Sequence, residues 1–333
     1  MRSIRGVHLH PSLMEGLALP LLAKLESLLE RGADRAGRAD RRSPVLALNG
    51  PVGAGKTTLT GVLQELAADR GIRLAVASID DVYLPWPERR RVLAGNPFGV
   101  WRVPPGSHDI PLLIDQLELW RDTGTLRLPR FDKTLADGQG DRAGWSESEV
   151  DAVLIEGWLM GCRALGRSEL ERRMASGTGL GQLSQQERDW LPRWDGHLDG
   201  YGPLWDLCDS LWVLRPSSWS LPRRWRFQAE ARQRRRGGGW LRPLDLERLV
   251  RASLHSLPPK LYQDPLLEPS GAAEPLEGGL PLEGGVVLDG LRRSIQSISP
   301  EDLGSAQLSS PSCLLYTSPS PRDATLSRMP SSA

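Results

Sequence analysis

The chain has 333 residues, which is long enough for one large α/β domain or two small ones. Apolar residues make up 39% of the chain and charged residues 25%, ordinary globular proportions that exclude a wholly disordered protein. The formal net charge is +1, so no overall field recruits nucleic acid or an anionic membrane. The three cysteines lack CxxC spacing, and no apolar run approaches the roughly 20 residues of a membrane helix. We therefore expect a cytoplasmic protein without a disulfide framework, zinc site or membrane span.

Predicted helices and strands alternate along the chain. The predicted helices are 12–31, 56–70, 110–120, 219–236 and 244–257, and the predicted strands are 45–48, 74–79, 126–131, 152–155 and 211–214. Such alternation is typical of a mostly parallel sheet that is flanked by helices. Residues 268–285 are rich in Pro, Gly and Glu and predict a loop.

Three segments follow from this organisation. We predict an N-terminal helix and linker over residues 1–43, an α/β domain over residues 44–290, and a disordered tail over residues 291–333. Within that tail, residues 311–333 have no apolar period and resemble translated sequencing-adapter sequence.

The segment from Gly50 to Thr57 reads GPVGAGKT and matches GxxxxGK[ST] between a predicted strand and a predicted helix. Its glycines let backbone N–H groups surround a phosphate, Lys56 would reach the β- and γ-phosphates, and Thr57 would bind Mg²⁺. The motif predicts nucleoside triphosphate binding by the three-layer α/β sandwich of P-loop NTPases. A GTPase is disfavoured because the chain's asparagines, Asn49 and Asn96, form no NKxD motif.

Acidic residues follow two predicted strands. Glu156, after the strand 152–155, can orient Mg²⁺ or can simply cap the strand. Asp80 and Asp81 follow the second strand, where a carboxylate could accept the proton of an attacking hydroxyl group. Since neighbouring side chains of an extended segment point in opposite directions, we expect one of the two to face the site. A turn or helix cap is the alternative for this pair.

Polar residues on predicted loops are candidates for acceptor binding. His108 and Asp109 precede a helix, which Asp109 could cap. Arg130, Lys133 and Arg142 could hold a substrate carboxylate, or could form a solvated charged loop. The arginine-rich run 223–236 fits either a nucleic-acid patch or a helical lid that brings arginine onto a phosphoryl group. The near-neutral net charge favours the lid.

Together these segments resemble the D-glycerate 3-kinase family, P-loop kinases that make 3-phosphoglycerate and are related to uridine kinases, phosphoribulokinases and pantothenate kinases. The matching text lies within residues 44–262 and reads GPVGAGKTTL, SIDDVYL, GNPF, GSHDIPLL, LPRFDKTLADGQGDRA, VLIEGWLMGC, RRWRFQAE and LERLVRASLHSLPPKLY. The segment 101–105 departs from the pattern, because it reads WRVPP where plant members have YRGNA.

The resemblance implies an ATP- and Mg²⁺-dependent kinase for the primary hydroxyl of D-glycerate, with Asp80 rather than Asp81 as general base. The predicted catalytic residues are Asp80, Lys56, Arg224 and Arg226; nucleotide binding is predicted for Gly50, Gly53, Ala54, Gly55, Lys56, Thr57, Thr58 and Arg234; acceptor binding for Asp81, His108, Asp109, Arg130, Lys133 and Arg142; and metal binding for Thr57, Glu156 and Asp80. Gln228 and Glu230 complete the lid motif.

Other functions remain open at this point. The first alternative is a P-loop kinase for another small hydroxylated acceptor, namely a nucleoside, pantothenate or a sugar phosphate. The second is a non-catalytic nucleotide switch or a nucleic-acid binder. For the kinase we expect a small-molecule substrate, no nucleic-acid or membrane partner, and a monomer, with a homodimer as the alternative. The family's usual place is glycerate salvage, in photorespiration among phototrophs.

Overall fold

The computed structural model describes residues 9–34, 43–177, 179–237, 240–267 and 280–299. The strands are β1 (Val45–Asn49), β2 (Leu74–Ser78), β3 (Thr125–Asp132), β4 (Asp141–Glu149), β5 (Ala152–Gly157), β6 (Ser210–Pro216), β7 (Leu282–Leu288) and β8 (Ser294–Ile298). The helices are α1 (Pro11–Leu13), α2 (Leu19–Asp34), α3 (Lys56–Ala68), α4 (Trp86–Val92), α5 (Ile110–Thr123), α6 (Leu135–Gly138), α7 (Arg167–Ser176), α8 (Gln185–Leu198), α9 (Gly202–Leu207), α10 (Leu221–Arg235), α11 (Pro243–His255) and α12 (Pro259–Tyr262). Short π- or 3₁₀-helical turns cover Met14–Ala18, Ile79–Val82, Asp199–Tyr201 and Asp264–Leu267.

Within the described residues, the main sheet has the strand order β2-β5-β1-β6-β7-β8, and β3 pairs with β4 in a separate hairpin. The main sheet is parallel except for β8, which runs antiparallel to β7. Every residue of β1 and β5 is buried, as expected for central parallel strands that are covered on both faces. The predicted P-loop NTPase fold, a mostly parallel sheet flanked by helices, is confirmed.

The N-terminal helix is part of the main core. Leu17, Leu21 and Leu25 have no exposed surface and share one hydrophobic cluster with Leu63 of α3 and Val286 of β7. Burying one leucine side chain contributes about 1.5–3 kcal/mol, so this helix stabilises the sheet. The predicted N-terminal helix therefore packs on the sheet of the predicted α/β domain.

The C-terminal prediction is wrong at two short segments. Residues 282–285 belong to β7 rather than to the predicted loop, and residues 294–298 form β8 rather than a disordered tail. The apolar run of β7 is short and follows Pro, Glu and Gly, so composition concealed it. The predicted adapter-like segment 311–333 lies outside the described residues.

Three helices between β5 and β6, namely α7, α8 and α9, were not predicted. Proline at position 192 and many polar residues hide the period of α8, yet Leu191, Trp194 and Leu198 are buried on one face. No helix within the described ranges is both long and apolar enough to cross a bilayer.

Candidate active site

The carboxyl ends of β1, β2 and β5 meet at one edge of the sheet. Glu156 on β5 pairs in register with Leu48 on β1 and with Ser78 on β2. The P-loop follows β1, and the Asp80 segment follows β2, so both adjoin Glu156. Parallel α/β sheets bind their ligands at this edge.

The P-loop turns through two left-handed glycines before α3 begins at Lys56. Gly53 has φ +77° and Gly55 has φ +100°, conformations that cost energy for residues with a Cβ. The Lys56 Nζ donates a hydrogen bond of 2.8 Å to the Gly50 carbonyl and lies 3.5 Å from the Glu156 Oε2. Lys56 and Glu156 thus face the same space, next to the amino end of α3, where an anion is favoured.

The residues at this edge fit a magnesium ion that is bound with a nucleotide. Thr57 is exposed at the start of α3, and the Glu156 carboxylate lies next to Lys56. The described residues contain no group of three His, Cys, Asp or Glu that could hold a metal by themselves. Magnesium in kinases typically takes one or two protein oxygens and completes its shell with phosphate oxygens and water.

Asp80 and Asp81 lie on the 3₁₀ turn after β2 and have different surroundings. The Asp81 carboxylate accepts a hydrogen bond of 3.1 Å from the Ser78 N–H, and the Ser78 side chain caps the turn in return. Burial raises the pKa of Asp81, and the charges of Asp80 and Glu156 raise it further. Asp81 thus has a capping role, whereas the Asp80 side chain is 41% exposed.

The Asp80 carboxylate is held on one side by a tyrosine and a histidine. Its Oδ1 accepts a hydrogen bond of 2.7 Å from the Tyr83 hydroxyl and lies 3.7 Å from the His108 Nε2. Burial acts to raise the pKa of Asp80, but the contacts with His108 and Tyr83, with the charge of Lys133, outweigh it and lower the pKa well below its ordinary value. Asp80 is therefore ionised at neutral pH.

His108 has no exposed side-chain surface. Its ring stacks on Tyr83 at 4.7 Å, and its Nδ1 lies 2.6 Å from the Tyr201 hydroxyl, which also accepts a hydrogen bond from the Gly106 N–H. Burial lowers the pKa of His108 and favours the neutral ring. If Tyr201 donates to Nδ1, the proton of the ring lies on Nε2, towards Asp80. This geometry places His108 behind Asp80 rather than on the open side of the site.

Asp109 and Arg142 bind each other. The Arg142 Nη2 lies 2.5 Å from the Asp109 Oδ2, and the Arg142 Nε donates to the Tyr83 carbonyl at 3.2 Å. The other Asp109 oxygen accepts a hydrogen bond from the Leu112 N–H and caps α5. Both were predicted to bind the acceptor, and both connect segments of the fold.

Of the other basic candidates, Lys133 and Arg130 are exposed on the β3–β4 hairpin. The charge of Lys133 favours the ionised forms of Asp80 and Asp81, although burial keeps the pKa of Asp81 raised. Lys133 therefore stays a candidate for binding an anionic acceptor.

The predicted lid is helix α10, and its first half packs against the P-loop, since a Cβ added to Gly53 would lie 2.7 Å from the Arg226 nitrogen. Trp225 is fully buried, and its indole N–H donates to the Gly290 carbonyl at 3.1 Å. The Arg226 Nη1 lies 2.9 Å from the Glu230 Oε2, so one of the predicted lid arginines forms an ion pair within α10. Arg234, further along α10, lies 4.4 Å from the ring centroid of Trp240.

Arg89 is a buried residue of this region that the sequence did not indicate. Its side chain has no exposed surface, donates to the Leu84 and Gly140 carbonyls at 2.8 and 2.5 Å, and lies 5.0 Å from the Phe131 ring centroid. Burial lowers the pKa of Arg89 to about 10. It stands in the run PERRRV, which is typical of a solvated helix, so no sequence signal singles it out.

Comparisons with known proteins point to one group of kinases. No protein-family model matches the chain. The chloroplastic D-glycerate 3-kinase of Arabidopsis thaliana is 30% identical over 205 residues, 58% of this chain and 42% of that protein. The uncharacterized kinase mug58 of Schizosaccharomyces pombe is 27% identical over 208 residues, 59% of this chain and 73% of that protein. This chain thus spans less than half the length of the Arabidopsis relative.

A solved structure extends the similarity over most of the chain. The D-glycerate 3-kinase from Cryptococcus neoformans var. grubii matches with a TM-score of 0.72 and 25% sequence identity, over 85% of this chain and 99% of that one. The chain is therefore similar in sequence and in fold to proteins named D-glycerate 3-kinase, and the resemblance predicted from its motifs is confirmed.

Proposed function

We propose that this protein transfers the γ-phosphoryl group of ATP to the primary hydroxyl of D-glycerate and produces 3-phosphoglycerate and ADP. The observation that carries the proposal is the ionised, partly exposed Asp80 carboxylate at the same sheet edge as the P-loop. The similarity to D-glycerate 3-kinases over most of the chain supports the choice of acceptor.

The nucleotide would lie in the P-loop. The backbone N–H groups from Gly53 to Thr58 and the amino end of α3 would bind its phosphates, and Lys56 would exchange the Gly50 carbonyl for phosphate oxygens. Magnesium, held by Thr57 and Glu156 together with phosphate oxygens, would neutralise charge on the transferring group. Arg224 and Arg226 of α10 would add positive charge from the lid side.

The acceptor would lie on the open side of Asp80. The hydroxyl oxygen of D-glycerate attacks the γ-phosphorus, the bond to the β–γ bridging oxygen breaks, and Asp80 accepts the hydroxyl proton. Because Tyr83 and His108 occupy Oδ1, Oδ2 is the oxygen that would receive it. Lys133, with Arg130, would hold the substrate carboxylate.

The resemblance implies a role in glycerate salvage. We expect the enzyme to be cytoplasmic and monomeric. A kinase for another small hydroxylated acceptor is the second candidate. In that case Lys133 and Arg130, both exposed, would bind the phosphate of the acceptor instead of the glycerate carboxylate.

The test is ATP consumption by the purified chain with D-glycerate, L-glycerate, uridine, pantothenate or ribulose 5-phosphate. We expect turnover with D-glycerate and 3-phosphoglycerate as the product. Turnover with another acceptor alone would overturn the proposed substrate, and ATP binding without any turnover would favour a nucleotide switch.

Substitution of the proposed base tests the mechanism in the same assay. We expect Asp80→Asn to lower kcat by about 10²–10⁴-fold while ATP binding is preserved. Asp115→Asn removes an exposed carboxylate of α5 and serves as the matched control, with unchanged kcat. An Asp80→Asn variant with the activity of the control would exclude Asp80 as the base.

A further inference from the structure

Arg292 lies in the turn between β7 and β8 and approaches the P-loop from outside the predicted motifs. It has φ +64°, an uncommon conformation for a residue with a side chain, and its guanidinium group is partly buried. The turn is 239 residues away from Gly53 along the chain. A strained residue with a partly buried charge persists where the surrounding structure fixes it.

The guanidinium group of Arg292 joins three elements. Its Nε donates a hydrogen bond of 2.7 Å to the carbonyl of Gly53 in the P-loop, and its Nη2 donates one of 3.0 Å to the carbonyl of Trp225 in α10. Its Nη1 lies 3.4 Å from the Gln228 Oε1. Because Arg292 itself belongs to the β7–β8 turn, it connects the P-loop, the lid helix and the edge of the sheet.

The contact that Arg292 fixes is a close one between two backbones. A Cβ added to Gly53 would lie 2.7 Å from the backbone nitrogen of Arg226. The peptide after Gly53 is planar, so holding its carbonyl also fixes the direction of the next N–H group. Arg292 thus controls the conformation of the P-loop from the side of the lid.

The charge of Arg292 has no neutralising partner in the part of the chain that the structure describes. None of its contacts there is an ion pair, whereas the neighbouring Arg293 lies 2.6 Å from the Asp289 Oδ2. Burial, together with the positive charges of Arg232 and Arg224, lowers the pKa of Arg292 to about 10. A partly buried guanidinium group without an ion-pair partner is favoured by a bound anion.

We infer that Arg292 is a positioning residue of the nucleotide site: it fixes the P-loop carbonyl of Gly53 against α10, and it supplies a positive charge that the phosphates of a bound nucleoside triphosphate neutralise. The inference rests on the nucleotide binding included in the proposed function. It assigns to this turn a role that none of the sequence motifs contains.

The test compares three variants of the full chain: Arg292→Gln, Arg292→Lys and the control Arg293→Gln. Arg293→Gln removes a charge from the same turn, but one that Asp289 neutralises. ATP affinity is measured by calorimetry at several salt concentrations, and thermal melting without nucleotide reports whether each variant folds. The ATP-induced rise in Tm gives a second measure of binding.

We expect Arg292→Gln to weaken ATP binding by about 10- to 100-fold and to make it less sensitive to salt. Arg292→Lys should have an intermediate effect, because lysine keeps the charge but cannot hold two carbonyls with a planar fork. Arg293→Gln should change the ATP affinity less than about twofold. The KM for the acceptor should not change in any of the three.

Several outcomes would overturn the inference. One is an ATP affinity within twofold of wild type for both Arg292 variants. Another is a loss of ATP affinity in Arg293→Gln that equals the loss in Arg292→Gln. If Arg292→Gln fails to fold, a wild-type ATP affinity of Arg292→Lys at every salt concentration would by itself overturn the inference. A wild-type protein that binds ATP but does not phosphorylate D-glycerate would overturn the proposed reaction alone, and one that does not bind ATP would overturn both.

Discussion

The nucleotide side and the acceptor side of the candidate site are built differently. The P-loop is one stretch of eight residues, Gly50–Thr57, whose predicted binding groups are backbone N–H groups and one lysine. The acceptor side is assembled from side chains on separate segments, with Asp80 supported by Tyr83 and His108, and with Asp109 joined to Arg142. A backbone site can thus be encoded locally, whereas a side-chain site depends on how distant segments pack.

The two sides also reach left-handed backbone conformations differently. The P-loop uses glycine at Gly53 and Gly55, where the conformation carries little strain. Near the acceptor side, Val103 has φ +94°, which is a strained conformation for a β-branched residue. A positive φ is thus made possible by glycine in the P-loop and is imposed by tertiary packing at Val103.

The largest effect is expected on the nucleotide side, from Gly53→Ala. The new Cβ would lie 2.7 Å from the Arg226 nitrogen at φ +77°, so the loop must leave the lid helix or change its shape. We expect ATP affinity to fall by about 100-fold, measured by calorimetry. Gly61→Ala in α3 is the control, because its Cβ meets no atom within 4 Å.

For Gly61→Ala we expect a gain in stability of up to about 1 kcal/mol, from helix propensity alone, with ATP affinity unchanged. Equal ATP affinities in Gly53→Ala and Gly61→Ala would show that the P-loop does not depend on its contact with α10. The contrast between the two sides of the site would then lose its basis.

An intermediate effect is expected on the acceptor side, from His108→Gln. The substitution removes the ring that stacks on Tyr83 and lies 3.7 Å from Asp80, so the carboxylate loses support on one side. We expect kcat with D-glycerate to fall by about 10-fold, while ATP affinity stays within twofold of wild type. Steady-state kinetics and calorimetry separate the two quantities.

The control for His108→Gln is His10→Gln, because His10 lies exposed at the start of α1. A loss of ATP affinity as large as the loss of kcat would mean that His108 supports the whole fold rather than Asp80. It would also mean that the acceptor side cannot be perturbed independently of the P-loop.

The smallest effect is expected from Val103→Gly. Glycine relieves the strained φ but gives up the burial of the valine side chain, so the two contributions nearly cancel. We expect the free energy of unfolding to change by less than about 1 kcal/mol. Val100 in the same loop has no strained φ to relieve, so Val100→Gly should lower the free energy of unfolding by about 2–4 kcal/mol. Urea denaturation measures both variants. Equal losses in the two variants would contradict the assigned strain.

Local patterns were sufficient to predict much of the fold. The strands β1, β2, β5 and β6 were apparent as buried apolar runs, and the long helix α3 was apparent from its period and its glycine-rich start. By contrast, β7 and β8 were missed, because their pairing with β6 and with each other compensates for a weak local pattern.

The sequence alone determined the strand–loop–helix unit at which we propose the triphosphate site, because the P-loop depends on consecutive backbone groups between one strand and one helix. Only the tertiary structure decided which polar side chains remain available. It joined Asp109 to Arg142 across 33 residues, His108 to Tyr201 across 93 residues and Gly53 to Arg292 across 239 residues. The availability of a charged side chain depends on its partners in space, and no pattern of neighbours along the chain specifies partners at such separations.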